Sequence, residues 1–241
     1  MTDITLSLRE DHDIAAYAET YARDGVIRIP NLFPAETAEA IYQILTRATP
    51  WHLVHSDEMG DHKYYRPQEW NDKPHAEKQQ ILQNTLKRAQ DGFAYLYFCY
   101  PMIDAYLEKR DPNWQLHRLT EFMNSDEMLD FTRTITGETT VKKHDAQATH
   151  YSRGHFLNVH DDTGASAERR AAYVMGFSKN WRPDWGGHLM FMDGNDFSQG
   201  FSPTFNSLTL FRVPRSHIVT QVTNFAGAGR FSVTGWLRDD A

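Results

Sequence analysis

The chain has 241 residues, of which 40% are hydrophobic and 13% aromatic, enough apolar surface for a buried core and too much for a disordered segment. A formal net charge of -7 supplies no basic field to displace counterions from a phosphate backbone, which argues against nucleic acid as a partner. The single cysteine, Cys99, excludes an internal disulfide and a thiolate cage for zinc. Residues 1–13 lack the basic flank and apolar run of a secretory leader, and no stretch approaches membrane-spanning length, so a cytoplasmic protein with no membrane partner is expected.

No repeat with a period of roughly 20 to 50 residues is present, and no Gly/Ser-rich or Pro-rich linker interrupts the chain. One domain over residues 1–241 is therefore expected, helix-rich over 1–137 and built of short alternating apolar runs over 138–241. In chain order, Val26-Ile27-Arg28-Ile29 reads as a strand. Pro34 then occupies the first turn of a helix whose stripe is Ala38, Ile41, Ile44, Leu45 and Ala48. The polar stretch 55–75 reads as a long loop, and its Tyr64, Tyr65, Arg66 and Trp70 suit a lid over a substrate. A helix is expected over 76–90 with Gly92 just past its end, and another from Ser125 to Gly137. Strands are expected over 139–143, 156–160, 172–178, 188–193, 207–213, 217–223 and 230–238. Turns at 162–164, 185–187 and 226–229 separate them, the signature of an antiparallel sandwich or barrel. The fold class that follows is α+β with a mainly β core, a jelly roll supported by N-terminal helices.

A facial site of two imidazoles and one carboxylate leaves half of an octahedral iron ion free for co-substrate and oxygen. It is commonly encoded as His-x-Asp/Glu plus a distant His. Chance alone yields roughly one or two such dyads in a chain of this composition, and three occur: His55-Ser56-Asp57, His75-Ala76-Glu77 and His160-Asp161-Asp162. His75 opens a helical segment whose period turns Glu77 about 200° away, and His55 lies in the polar stretch. Only His160 closes a strand-like run, where residues two apart share a face, so that His160 and Asp162 point together and His217 on a later strand completes the triad.

The run Tyr151-Ser152-Arg153-Gly154-His155-Phe156-Leu157-Asn158-Val159-His160-Asp161-Asp162 resembles the Tyr-x-x-Gly-x-Phe-Leu-x-x-His-x-Asp segment of prolyl-4-hydroxylase-like Fe(II)/2-oxoglutarate-dependent dioxygenases. Trp185-Gly186-Gly187-His188-Leu189 is similar to their Gly-Gly-x-Leu strand, and His217-Ile218-Val219 followed by Gly229-Arg230-Phe231-Ser232 keeps their order. The opening run, residues 24–33, echoes the segment that begins such enzymes. The resemblance implies a double-stranded β-helix, Fe(II) held by His160, Asp162 and His217, and 2-oxoglutarate and O2 as co-substrates, with ascorbate-responsive turnover. It implies Arg230 as the base for the far carboxylate of 2-oxoglutarate, with Tyr151 assisting. The fork of a guanidinium suits a carboxylate at the closed end of a barrel. The substrate implied is a prolyl residue in a protein or peptide, or a proline-like small molecule. Alternatives are another small-molecule substrate, a silent metal or 2-oxoglutarate sensor, and a cupin-like barrel, which has no need of Arg230.

Around this core, strand alternation sends His155 and Asp161 away from the metal, towards solvent or behind the ligands. It sends Asn158 to the side of His160, as a substrate contact or a satisfied interior amide. His188 is expected to face outward or bond locally, Trp181 and Trp185 to line the mouth, and Trp236 to belong to the core. Glu168-Arg169-Arg170 reads as a solvated turn and Cys99 as a small buried hydrophobe.

Overall fold

In the computed structural model, which describes residues 4–163 and 168–240, the part up to Gly137 forms α1 (Ile14–Asp24), β1 (Val26–Pro30), α2 (Ala35–Arg47), β2 (His52–Ser56), β3 (His62–Tyr65), α3 (Pro67–Asp72), α4 (His75–Asp91), β4 (Tyr95–Tyr100), α5 (Met102–Leu107), α6 (Gln115–Met123) and α7 (Asp126–Thr136). The remainder forms β5 (Lys143–His144), β6 (Gln147–Tyr151), β7 (Phe156–His160), β8 (Arg169–Phe177), β9 (Leu189–Asp193), β10 (Asp196–Phe201), β11 (Phe205–Arg212), β12 (His217–Val219) and β13 (Arg230–Arg238).

The helices obey their end signals. Ser125 caps α7 by accepting from the Met128 N–H, and Gly137 ends it at φ +74°, a left-handed conformation that costs a residue without Cβ nothing. Met128, Leu129, Phe131 and Ile135 form its buried stripe. The helix behind Pro34 buries Ala38, Ile41, Ile44 and Leu45. By contrast α1, whose one buried side chain is Tyr21, shows no strong apolar stripe and is not legible from periodicity.

Every strand pair among the described residues is antiparallel, in the order β1-β11-β8-β13-β6-β4-β7-β12-β9-β10, with β2, β3 and β5 attached to the sides. This long sheet curls on itself. One face of the β1-β11-β8-β13 portion, carrying Ile27, Ile29, Leu208, Leu210, Tyr173, Met175 and Val233, packs on the helices. On the other face Val26, Ala172 and Phe211 meet Leu189 and Phe191 of β9, so two layers close around an interior. This is the expected α+β architecture with a jelly-roll core. No helix among the described residues is long and apolar enough to cross a membrane.

Three expectations are corrected. The stretch 55–75 is a β2–β3 hairpin followed by α3, because β2 pairs with β4 and its residues are all buried. Tyr65 and Trp70 pack with Leu53, Leu96 and Phe156 rather than arching over an opening. The strand expected at 139–143 reduces to β5, while β4, β6 and β10 lack alternation clear enough to announce them. Arg169 and Arg170 belong to β8 rather than to a turn, and Gly164, the last residue of the turn expected at 162–164, lies outside the described set.

One polar clasp ties the helical layer to the sheet. Buried Asn206, at φ +53°, accepts from the Phe33 N–H (3.0 Å) and donates to the Phe33 carbonyl (2.8 Å). Asn206→Ala strands both backbone groups and is expected to cost about 3 kcal/mol, read as a lower midpoint in urea denaturation. A loss under about 0.5 kcal/mol counts against the clasp.

Candidate metal and carboxylate site

Three side chains converge where β7 and β12 lie side by side. The potential ligand atoms of His160, Asp162 and His217 all fall within 4.8 Å of one another, and the two imidazole rings are 4.1 Å apart. The Nε2 atoms of His160 and His217 lie 3.3 and 3.5 Å from the two oxygens of Asp162. Each Nδ1 faces a backbone carbonyl, Asn158 O at 2.9 Å and Arg215 O at 2.7 Å. Carbonyls only accept, so each Nδ1 carries the proton and each Nε2 points its lone pair at the common centre, the arrangement that orients histidine metal ligands. Burial, with His160 beside it, pushes the His217 imidazole down to about 4, keeping it in the neutral form that binds metal. Burial works to raise Asp162, but its interactions with the two adjacent imidazoles outweigh it and hold the carboxylate below its ordinary range.

The way the chain achieves this differs from simple pleating. β7 ends at His160, and Asp162 sits beyond it at φ +60°, a left-handed turn position that aspartate tolerates better than most residues. A register shift sets His160 opposite His217 but Leu157 opposite Val219. Leu157 therefore shares the interior with His160, and Asn158 turns away, donating to Ala89 O and Gly92 O of the α4 end at 3.3 Å each. It is a satisfied amide and not a substrate contact. His155 is likewise not solvated: it is buried against the Phe98 ring at 4.9 Å and pushed down to about 4 by burial. Asp161 is exposed and bound to Thr163, and His188 bonds locally to the Pro183 carbonyl at 2.8 Å.

The triad opens on a cavity of about 390 Å³ whose lining also holds Arg230 and Tyr151, so the structure brings all five candidate residues together. Arg230 is buried, its guanidinium 4.9 Å from the Tyr151 ring centre, and donates one hydrogen bond, to Ser232 Oγ at 3.2 Å. Among the described residues no carboxylate pairs with it, and burial lowers its pKa, so a charged fork lies inside the barrel without a counter-ion. A buried cation left in this state implies an anionic ligand. Tyr151 faces Arg230 in the β6–β13 register and stacks on Tyr97 at 5.0 Å. Burial holds its hydroxyl protonated, as a donor. The donor set thus fits both groups that the sequence motif implies: two imidazoles and a carboxylate for a divalent iron, and a guanidinium with no carboxylate partner among the described residues for a carboxylate.

Two lining residues escaped the sequence reading. Arg169 lays its guanidinium 3.6 Å over the Trp236 ring and donates to the Asp162 carbonyl at 3.1 Å. With Phe93 and Tyr95 they form the wall of the cavity near the triad. Their signal was the inward alternation of Arg230, Ser232, Thr234 and Trp236 along β13; for Arg169 the register β8 shares with β13 was needed. Trp181 and Trp185 do not line the cavity but pack against each other behind Tyr151 and Val219, and Tyr64, Tyr65, Arg66 and Trp70 also lie outside its lining. The turn at 185–187 requires glycine: at φ +70°, a Cβ on Gly186 falls 2.0 Å from the Gln221 carbonyl.

A family model, that of the 2OG-Fe(II) oxygenase superfamily, matches residues 146–238. No curated protein matches the sequence. Among solved structures, a 2OG-Fe(II) oxygenase family oxidoreductase from Burkholderia pseudomallei aligns with a TM-score of 0.62 at 12% identity, over 100% of this chain and 97% of its own. A prolyl-4-hydroxylase from Pseudomonas putida aligns at 0.58 and 18%, over 95% and 100%. A prolyl hydroxylase from Trichoplax adhaerens, in complex with a hypoxia inducible factor oxygen degradation domain peptide, aligns at 0.59 and 15%, over 94% and 89%. These likenesses carry the fold, and the family match spans the strands that hold the triad and Arg230. Residues 146–238 thus match the 2OG-Fe(II) oxygenase superfamily model, and the chain as a whole has a fold like that of the prolyl-4-hydroxylases.

Proposed function

We propose that this protein is an Fe(II)- and 2-oxoglutarate-dependent dioxygenase that hydroxylates an unactivated carbon, with a prolyl residue of a peptide or protein, or a proline-like small molecule, as substrate. One observation carries the reading: three lone-pair-directed ligand groups and a buried, unpaired guanidinium share one cavity. His160, Asp162 and His217 hold the metal, and the Nδ1 contacts to backbone keep both rings aimed. Arg230 receives the far carboxylate of 2-oxoglutarate, and the Tyr151 hydroxyl donates to the same group. Iron supplies, when bound, the redox chemistry that activates O2 as 2-oxoglutarate is consumed to succinate.

The chain's own contribution is orientation and exclusion of water. Phe93, Tyr95 and Trp236 offer apolar faces of a size to hold a five-membered ring, and the Arg169 guanidinium beside them offers donors to a carbonyl or carboxylate of the substrate. The proline class is supported by the two prolyl hydroxylases that share the fold, one of them with a peptide bound. The same reading includes ascorbate-responsive turnover and a cytoplasmic setting, the latter in keeping with Cys99 as a buried free thiol.

Anaerobic addition of Fe(II) and 2-oxoglutarate is expected to produce a weak visible charge-transfer band. Admission of O2 with prolyl peptides or free proline should then raise succinate release and yield hydroxyproline. No band and no succinate would leave a silent barrel. A band without stimulation by any proline compound would keep the oxygenase and discard the substrate class.

A further inference from the structure

Arg28 is a second cation at the co-substrate end of the barrel that neither the motif nor the triad brings to notice. It lies on β1 opposite Thr209, which pairs with Val174, which in turn pairs with Thr234. Val174 and Thr234 line the main cavity, and Ile27 and Ile29, on either side of Arg28, face the helices. Strand alternation therefore directs Arg28 to the inner face. There its guanidinium is held by neutral acceptors only: Nη1 donates to Ser202 O (2.7 Å) and Thr204 Oγ1 (3.0 Å), Nε to Thr209 Oγ1 (3.1 Å), and the group lies 4.4 Å over the Phe201 ring.

Arg28 and Arg230 line one small void together, of about 10 Å³, with Ser178, Ser207 and Ser232 and the apolar Val174, Leu189 and Phe201 around it. That is room for about one water molecule. Arg230 is the charged neighbour that bears on Arg28, and no carboxylate among the described residues offsets either group. Burial, then the repulsion of Arg230, pushes Arg28 down to about 10. Two like charges, Arg230 buried and Arg28 half-buried, are unfavourable side by side without a counter-ion, and an anion bound at one relieves both.

We propose that Arg28 is a positioning and specificity residue of the co-substrate pocket: with Arg230 it forms a paired cationic end that sets affinity for a keto acid carrying a second carboxylate. The inference rests on the reading that Arg230 receives that carboxylate. Arg28 keeps its hydrogen bonds to Ser202, Thr204 and Thr209 and acts on the ligand through its charge. Its removal therefore weakens dicarboxylates selectively.

The test is calorimetric titration of 2-oxoglutarate, and of 2-oxobutyrate, which lacks the far carboxylate, into the full chain loaded with Mn(II). In Arg28→Gln the Kd for 2-oxoglutarate should rise about tenfold while that for 2-oxobutyrate stays within about twofold. Turnover assays should show KM for 2-oxoglutarate rising by the same factor with kcat little changed. Arg28→Lys, which keeps the charge, should restore most of the affinity. If the glutamine variant does not fold, Arg28→Met, which keeps the stem over Phe201, is read by the same criteria. Unchanged 2-oxoglutarate affinity, or equal weakening of both keto acids, overturns the proposal while leaving the proposed function standing. Failure of the wild-type chain to bind either keto acid overturns both.

Discussion

Asp162→Ala is expected to reduce substrate-dependent succinate release by on the order of a thousandfold, with metal binding weakened in parallel. The carboxylate is the one anionic member of the triad, and the two imidazoles beside it are held with their lone pairs inward. Without it, a divalent ion keeps two neutral donors and no compensating charge in a largely buried site. Because Asp162 sits at φ +60°, alanine also adds about 1 kcal/mol of backbone strain, whereas Asp162→Asn tolerates that conformation and removes only the charge. Both variants should therefore lose Fe(II) in equilibrium dialysis, and the asparagine variant should do so with its melting temperature almost intact. Wild-type turnover by either variant, with iron bound, would end the assignment of Asp162 as a ligand.

Arg230→Gln is expected to raise KM for 2-oxoglutarate by about a hundredfold, the loss of two charge-assisted hydrogen bonds at about 1.5 kcal/mol each. The ligand-free protein should not lose stability. Among the described residues the buried Arg230 has one neutral hydrogen-bond partner and no carboxylate, so its charge is a cost in the ligand-free barrel and a gain once an anion arrives. An unchanged or higher melting temperature for the ligand-free variant, beside the raised KM, separates a ligand-binding role from a structural one. A variant that melts early with normal KM would make Arg230 a core cation. Lysine at 230 should recover part of the affinity, since it restores charge but not the planar fork.

The match to the oxygenase motif over residues 146–238, the jelly-roll core and the five residues that the structure gathers around one cavity were legible in the sequence, because each depends on local chemistry repeated in order. His160 and Asp162 stood out from two competing dyads by the strand-like run before them, and Gly186 and Arg230 by their place in an ordered set. Strong end signals likewise announced α7, bounded by Ser125 and Gly137. What stayed hidden depended on long-range pairing. The 55–75 stretch is polar in composition yet strand-forming, because β4 supplies a partner for β2. Asn158 and Leu157 exchange the faces that alternation assigns them, because the β7–β12 register slips at the metal site. Arg169 joins the site through its stacking on Trp236, and Arg28 through a row of four strands. Periodicity within a strand says which residues share a face. Only the closed sheet decides which face is the interior, and which distant charges are left there without a partner.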